Sequence, residues 1–295
     1  MMIEREREAL QLCDVGLQHM WKGDVDSAID VYDRAAVIAA SDETRELITI
    51  RKAEALIASE REGAEVAALP GIVMRRRSPR HVYLAAGTLM RRFVENDDRR
   101  KAIFYGEIAR GAATELGEPM SRASVLNHLG VTLVVDSQFA SAIKVFNEAL
   151  DAIRSLAATA EDASILFSAL RANLGGAKVL SGACDEGIRL LEGAMSGLIE
   201  DYERTEALLD LCFGYMEIER YDISEMYGRR ALELATVKRQ IRNANHLLGE
   251  ICLRTERYEE ADGFFDVVAA YYPDFKNVKQ LLVAVDLCAV VNWKA

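Results

Sequence analysis

Small and apolar residues recur along this chain at intervals that fit pairs of helices. In the stretch Ser121 to Leu150, SRASVLNHLGVTLVVDSQFASAIKVFNEAL, Gly130 is followed by Ala142 twelve positions later, by Phe146 four after that and by Ala149 three after that. Gly16, Ala28, Tyr32 and Ala35 repeat these intervals, with Gly23 and Asp24 at the turn between two periodic runs. Gly249, Ala261 and Phe265 keep the register in NHLLGEICLRTERYEEADGFFDVVAAYYP, as do Gly175, Gly187, Leu191 and Ala194 in ALRANLGGAKVLSGACDEGIRLLEGAM. Apolar positions three and four apart form one helix face, and Gly or Asp between two such runs marks a turn. The pattern predicts consecutive helix–turn–helix units.

Other units fit less closely. From Pro79 to Leu116, Leu89 and Met90 stand where the clear copies have Leu-Gly, with Ala102, Gly106 and Ala109 at the later offsets. In LLDLCFGYMEIERYDISEMYGRRAL, Cys212 replaces the glycine, followed by Tyr215, Tyr221 and Ala231. The weakest part is Glu43 to Arg77. There TRELITIRKAEALIASE reads as one helix, but its partner AEVAALPGIVMRRR is interrupted by Pro70 and Gly71, and a proline inside a helix costs about 3 kcal/mol. A degenerate pair followed by a basic loop, RRRSPR, is expected, because Met90 lies 74 positions after Gly16, twice 37.

Together these residues, from Ala9 to Pro273, resemble the tetratricopeptide repeat (TPR), in which Gly and Ala let two antiparallel helices approach while an aromatic fills the gap to the next pair. The later small residues stand 40, 45, 37 and 37 apart, longer than the basic unit of about 34 residues. Such lengths are similar to those of bacterial peptide-sensing TPR regulators and kinesin light chain. The resemblance implies an all-α, right-handed superhelical solenoid of about seven helix pairs over residues 1–273, degenerate around 43–80. A capping helix, FKNVKQLLVAVDL, and a tail complete residues 274–295. It also implies a noncatalytic scaffold or regulator that takes a peptide or amphipathic helix in a concave groove.

Helix geometry selects candidates for that groove. Relative to each small contact residue, the positions three before, one after and four or five after share one face of the first helix. They include Arg91, Asn127, Val131, Val134, Phe213, Met216, His246, Glu250 and Arg254. An apolar floor with charged ends suits an amphipathic helix or an extended peptide. Peptide-binding members of the TPR family often use an asparagine just before the Leu-Gly step. Asn173 stands there, while Asn127 is offset by one and Asn243 by more. The patterned Lys and Asn set of chaperone-binding TPR proteins is missing.

Composition narrows the classes. With 51% hydrophobic residues and 4 Pro, the 295-residue chain can bury a core and favours helix. Its net charge of −11 argues against general nucleic-acid binding. One segment departs from this: Arg75, Arg76, Arg77, Arg80, Arg91, Arg92, Arg99, Arg100 and Lys101 face three acids, Glu95, Asp97 and Asp98. That basic patch leaves a second reading open, a regulator that binds nucleic acid. A third is a self-assembling subunit, a homodimer formed through the apolar tail CAVVNWKA.

No enzyme is expected, since the sequence lacks a Gly-rich phosphate loop, an HExxH pair and a GxSxG elbow. Its four histidines are isolated, and its five cysteines (Cys13, Cys184, Cys212, Cys252, Cys288) form no CxxC pair, so no cofactor or metal is expected. The opening MMIEREREAL is too charged for a signal peptide. The run LLVAVDLCAVV, broken by Asp286, is too short to span a bilayer. A cytoplasmic protein without membrane contact is expected.

Overall fold

The computed structural model describes residues 2–286 and 292–294, and among these there are helices but no strand. Cys288 and the rest of 287–291 lie outside the described residues. Seven consecutive helix pairs follow one another: α1 (Met2–Trp21) with α2 (Val25–Ile38), α3 (Asp42–Ala58) with α4 (Ala64–Arg75), α5 (Pro79–Glu95) with α6 (Arg99–Leu116), α7 (Pro119–Val135) with α8 (Phe139–Ile153), α9 (Glu161–Leu180) with α10 (Cys184–Ala194), α11 (Asp201–Glu217) with α12 (Tyr221–Leu234), and α13 (Lys238–Arg254) with α14 (Tyr258–Ala269). A last short helix, α15 (Val278–Ala284), buries Val278 and Leu282 against Phe265 and Val268 of α14. The chain divides into two compact units, Met1–Val125 and Leu126–Ala295.

Each pair turns in the same way. Gly23, Glu60, Asp97, Ser137, Gly182, Glu219 and Glu256, one per turn, have φ between 54° and 89°, the left-handed conformation that ends a helix and frees the chain to reverse. Only two of the seven are glycine, although a side chain there costs about 1 kcal/mol. The second helix begins on a side-chain cap in two of the pairs: Asp24 accepts from the Ser27 amide at 3.3 Å and Asp98 from the Lys101 amide at 3.2 Å.

Packing within each pair rests on close approach. A Cβ on Gly16, Gly130 or Gly249 would overlap the ring of Tyr32, Phe146 or Phe265, so each glycine is the socket for an aromatic sixteen residues later. In α9 and α10 the contact is backbone to backbone. A Cβ on Gly187 would lie 2.6 Å from the Gly175 carbonyl oxygen and 2.9 Å from the Val179 nitrogen. A backbone cannot move aside as a side-chain tip can. Gly187→Ala is therefore expected to cost about 3 kcal/mol, the upper end of ordinary overpacking, read as a shift of the urea midpoint at unchanged slope. In α11 and α12 the small residue has changed sides: Gly228 leaves room for Cys212, whose Sγ would lie 2.9 Å from an added Cβ.

The first unit centres on Ala9, Cys13, Ala28, Tyr32, Ala35 and Ile48. Its α4 differs from the interruption that Pro70 and Gly71 suggested, for the helix runs through both. Pro70 lies on the exposed face, while Val66, Leu69, Ile72 and Val73 bury the other. Burial of that stripe, about 1.5–3 kcal/mol for each large aliphatic side chain, outweighs the lost hydrogen bond.

Candidate functional site

The most built-up site lies in the second unit, where α9, α11 and α13 pack side by side and α11 touches both neighbours. Against them sits the segment Asn292–Lys294. Trp293 is 5% exposed, joins the core cluster of Ala172, Val179, Phe213 and Met216, and holds its ring 5.7 Å from that of Phe213. The Asn292 amide donates to the carbonyls of Val134 at 2.7 Å and Val135 at 3.4 Å, in the last turn of α7. Asn292 Oδ1 in turn accepts from the Lys294 amide at 3.1 Å, which folds the segment into a tight turn.

Lys294 ends in an acidic seat. Its Nζ lies 2.6 Å from Asp210 Oδ1, 2.7 Å from Oδ2 and 3.9 Å from Glu206 Oε2. Asp210 is 3% exposed. Burial pushes its carboxyl up to about 6, with Glu206 adding to the rise and Lys294 and Arg239 opposing it. Glu206 itself is held by Arg239 Nη2 at 2.8 Å and Gln240 Nε2 at 2.9 Å. Opposite, on α9, a Cβ on Gly176 would overlap the Asp210 carboxylate, so this glycine is what admits it. Beside the segment a cleft of about 240 Å³ opens between α13, α14 and α15, bordered by Asn243, His246, Asn292 and Trp293.

The architecture and repeat register are those of tetratricopeptide repeat proteins. The fold is a TPR-type solenoid. A TPR protein from Parabacteroides merdae superimposes with a TM-score of 0.58 at 14% identity, over 94% of this chain and 98% of that one. The apo form of the quorum sensor NprR from B. thuringiensis gives 0.68 at 14% identity, over 94% and 81%. NprR in complex with its cognate peptide NprX gives 0.67 at 15% identity, over 98% and 85%. No family model matches the sequence, and no curated protein matches it.

The residues that the sequence pattern selected fall into different settings. Val131 is 42% exposed, whereas Val134 is buried beside the carbonyl that Asn292 caps. Phe213 and Met216, expected on an open floor, are buried in one cluster with Trp293, whose ring packs against that of Phe213. Asn173 Nδ2 donates to Asn127 Oδ1 at 2.8 Å, so the two carboxamides partly satisfy each other. His246 and Glu250 are buried 3.5 Å apart on α13, and Arg254 reaches Asp286 at 2.6 Å and Glu217 at 3.4 Å. These nine belong to the second unit, and Arg91 belongs to the first, 3.4 Å from Glu54.

In the basic segment, eight of nine cations have a carboxylate within 4.0 Å. Arg75 and Arg77 fold onto the buried Glu46, and Arg76 and Arg80 reach Glu115 and Glu118. Arg91 and Arg92 meet Glu54 and Glu62, while Arg99 and Lys101 meet Asp97 and Asp98. Arg100 is exposed. Sequence reasoning passed over Asp210, although an acid between Leu209 and Leu211 in an apolar run is a visible signal. It also gave Trp293 no role in the repeats, since segment 292–294 belongs to no repeat.

Among the described residues no helix is long and apolar enough to cross a membrane, and no group of three His, Cys, Asp or Glu could hold a metal ion.

Proposed function

We propose that this protein is a noncatalytic interaction regulator whose second unit receives a peptide segment of a partner along the face of α7, α9, α11 and α13. One observation carries the reading. That face already binds a short non-helical segment, Asn292–Lys294, by carbonyl capping, aromatic packing and a buried ion pair. Backbone hydrogen bonds, side-chain pockets and charge-assisted pairs are also means by which a groove recognises a peptide. The TPR solenoid of NprR, in complex with its cognate peptide, supports the same use of the scaffold.

A library of random peptides displayed on phage and selected on the full chain tests this. A consensus is expected whose binding falls at least tenfold, about 1.4 kcal/mol, in Val131→Asp and Asn173→Ala, with thermal unfolding little changed because Val131 is exposed and Asn173 half-buried. No consensus, or one indifferent to both substitutions, overturns the reading. Nucleic-acid binding through the basic segment is disfavoured by the pairing of its cations with the protein's own acids, since only a free positive patch releases counterions from a phosphate backbone.

A further inference from the structure

Resting on this peptide-receiving role, we infer that Asn292–Lys294 is a resident occupant of the seat, and that the cognate ligand is a peptide carrying an aromatic residue followed directly by lysine or arginine, which enters by displacing it. Three features of the seat set that chemistry. Asp210 is buried on α11 with Glu206 one turn before it, and Glu206 is already engaged by Arg239 and Gln240. Asp210 therefore needs a cation from outside the helices, which Lys294 supplies at 2.6 Å. An aromatic ring must precede that cation, because Phe213, one turn along α11 from the acid, gives an apolar floor on which the Trp293 ring packs 5.7 Å away. The Lys294 ammonium also stands 5.4 Å over the Trp293 ring, so the aromatic and the cation act as one unit.

The resident satisfies this seat incompletely. Trp293 Nε1 and Asn243 Nδ2 are buried donors without an acceptor, and both border the 240 Å³ cleft beside the segment. A buried donor left unpaired weighs against the occupant that leaves it so. A longer peptide in extended form would fill the cleft and bring backbone carbonyls to donors there, which gives it an advantage over the resident. The segment holds the seat until such a peptide arrives.

Tryptophan fluorescence tests this in the full chain. Trp21 is 77% exposed on α1, so Trp21→Phe leaves Trp293 as the reporter. Lys294→Glu in that background should shift Trp293 emission to the red as the ring leaves the floor, while far-UV circular dichroism stays unchanged. Lys294→Arg should keep the blue emission. A labelled, end-capped peptide of sequence AVVNFKA, spectroscopically silent in the tryptophan window, should bind the Lys294→Glu chain about tenfold tighter or more than the parent, as removal of a competitor occupying nine-tenths of the sites requires. The same peptide with Glu in place of Lys should not bind.

Blue emission in Lys294→Glu, or in Lys294→Met should the first variant lose its helical signal, overturns the proposal. So does red emission without peptide uptake, which would make the segment a structural plug; selection of a phage consensus sensitive to Val131→Asp would then leave the peptide-receiving role standing. A shift that depends on protein concentration, with a dimer in light scattering, overturns it in favour of exchange between two copies.

Discussion

Phe146→Ala is expected to lower the unfolding free energy of the second unit by about 3–5 kcal/mol, the cost of removing a fully enclosed phenyl ring and leaving its cavity. The ring is completely buried and seated on Gly130, where no side chain stands between the helices. Closing the gap would require α7 and α8 to move toward each other, since Gly130 brings no side chain to fill it. Differential scanning calorimetry should show the melting temperature lowered by several degrees. A loss under about 1 kcal/mol would mean that the helices collapse onto each other, and that the glycine-and-aromatic seat does not set their spacing.

That seat is also why the fold was legible. Wherever glycine faces an aromatic at a sixteen-residue interval, as in Gly16 with Tyr32 or Gly249 with Phe265, the contact writes itself into the sequence. In α11 and α12 the sum of the two side chains is kept while the small one moves to Gly228, and Cys212 stands where a glycine was sought. The pairing rule concerns the joint volume of two positions, so a search for one residue type weakens there. Turns were obscured for a related reason. Glu219 and Glu256 adopt the left-handed conformation that Gly23 and Gly182 advertise, and nothing in a glutamate signals it. Pro70 misled in the opposite direction, since its cost falls on an exposed face and burial of Leu69 and Ile72 on the other face prevails.

The site was less readable than the fold. Helix periodicity places Phe213, Met216 and His246 on the face that the segment covers, and that much follows from spacing alone. What covers the face cannot follow from spacing, because Asn292 and Val134 are 158 positions apart in sequence and belong to no common repeat. A non-local contact by a non-repeating segment leaves no period to detect. Asp210 falls outside the selected positions because it stands two residues before Cys212, where the spacing takes the residue three before.

Asp210→Asn is expected to make the protein more stable at pH 8 by about 3 kcal/mol, while weakening its hold on Lys294. The sign follows from the carboxyl's shift from an ordinary 3.8 to about 6 in the folded chain. Below the lower value both the folded and unfolded chains carry the proton, and the group does not affect stability. Between the two values the folded chain keeps the proton and the unfolded chain has lost it, so stability falls as pH rises through this window. Above about 6 the deficit is constant, and a shift of about two units corresponds to about 3 kcal/mol. Lys294, Glu206 and Arg239 face the carboxylate and are already reflected in that value; Gly176, opposite, carries no charge. An uncharged amide of the same shape removes the pH-dependent deficit and, with it, the reason for a cation to dock. Urea unfolding of both chains at pH 4 and pH 8 checks this: the two should agree at the lower pH and separate at the higher. Equal stability at pH 8 would show that the Lys294 pair fully offsets the burial of Asp210, and the seat would then be a structural ion pair with no energy held in reserve for a ligand.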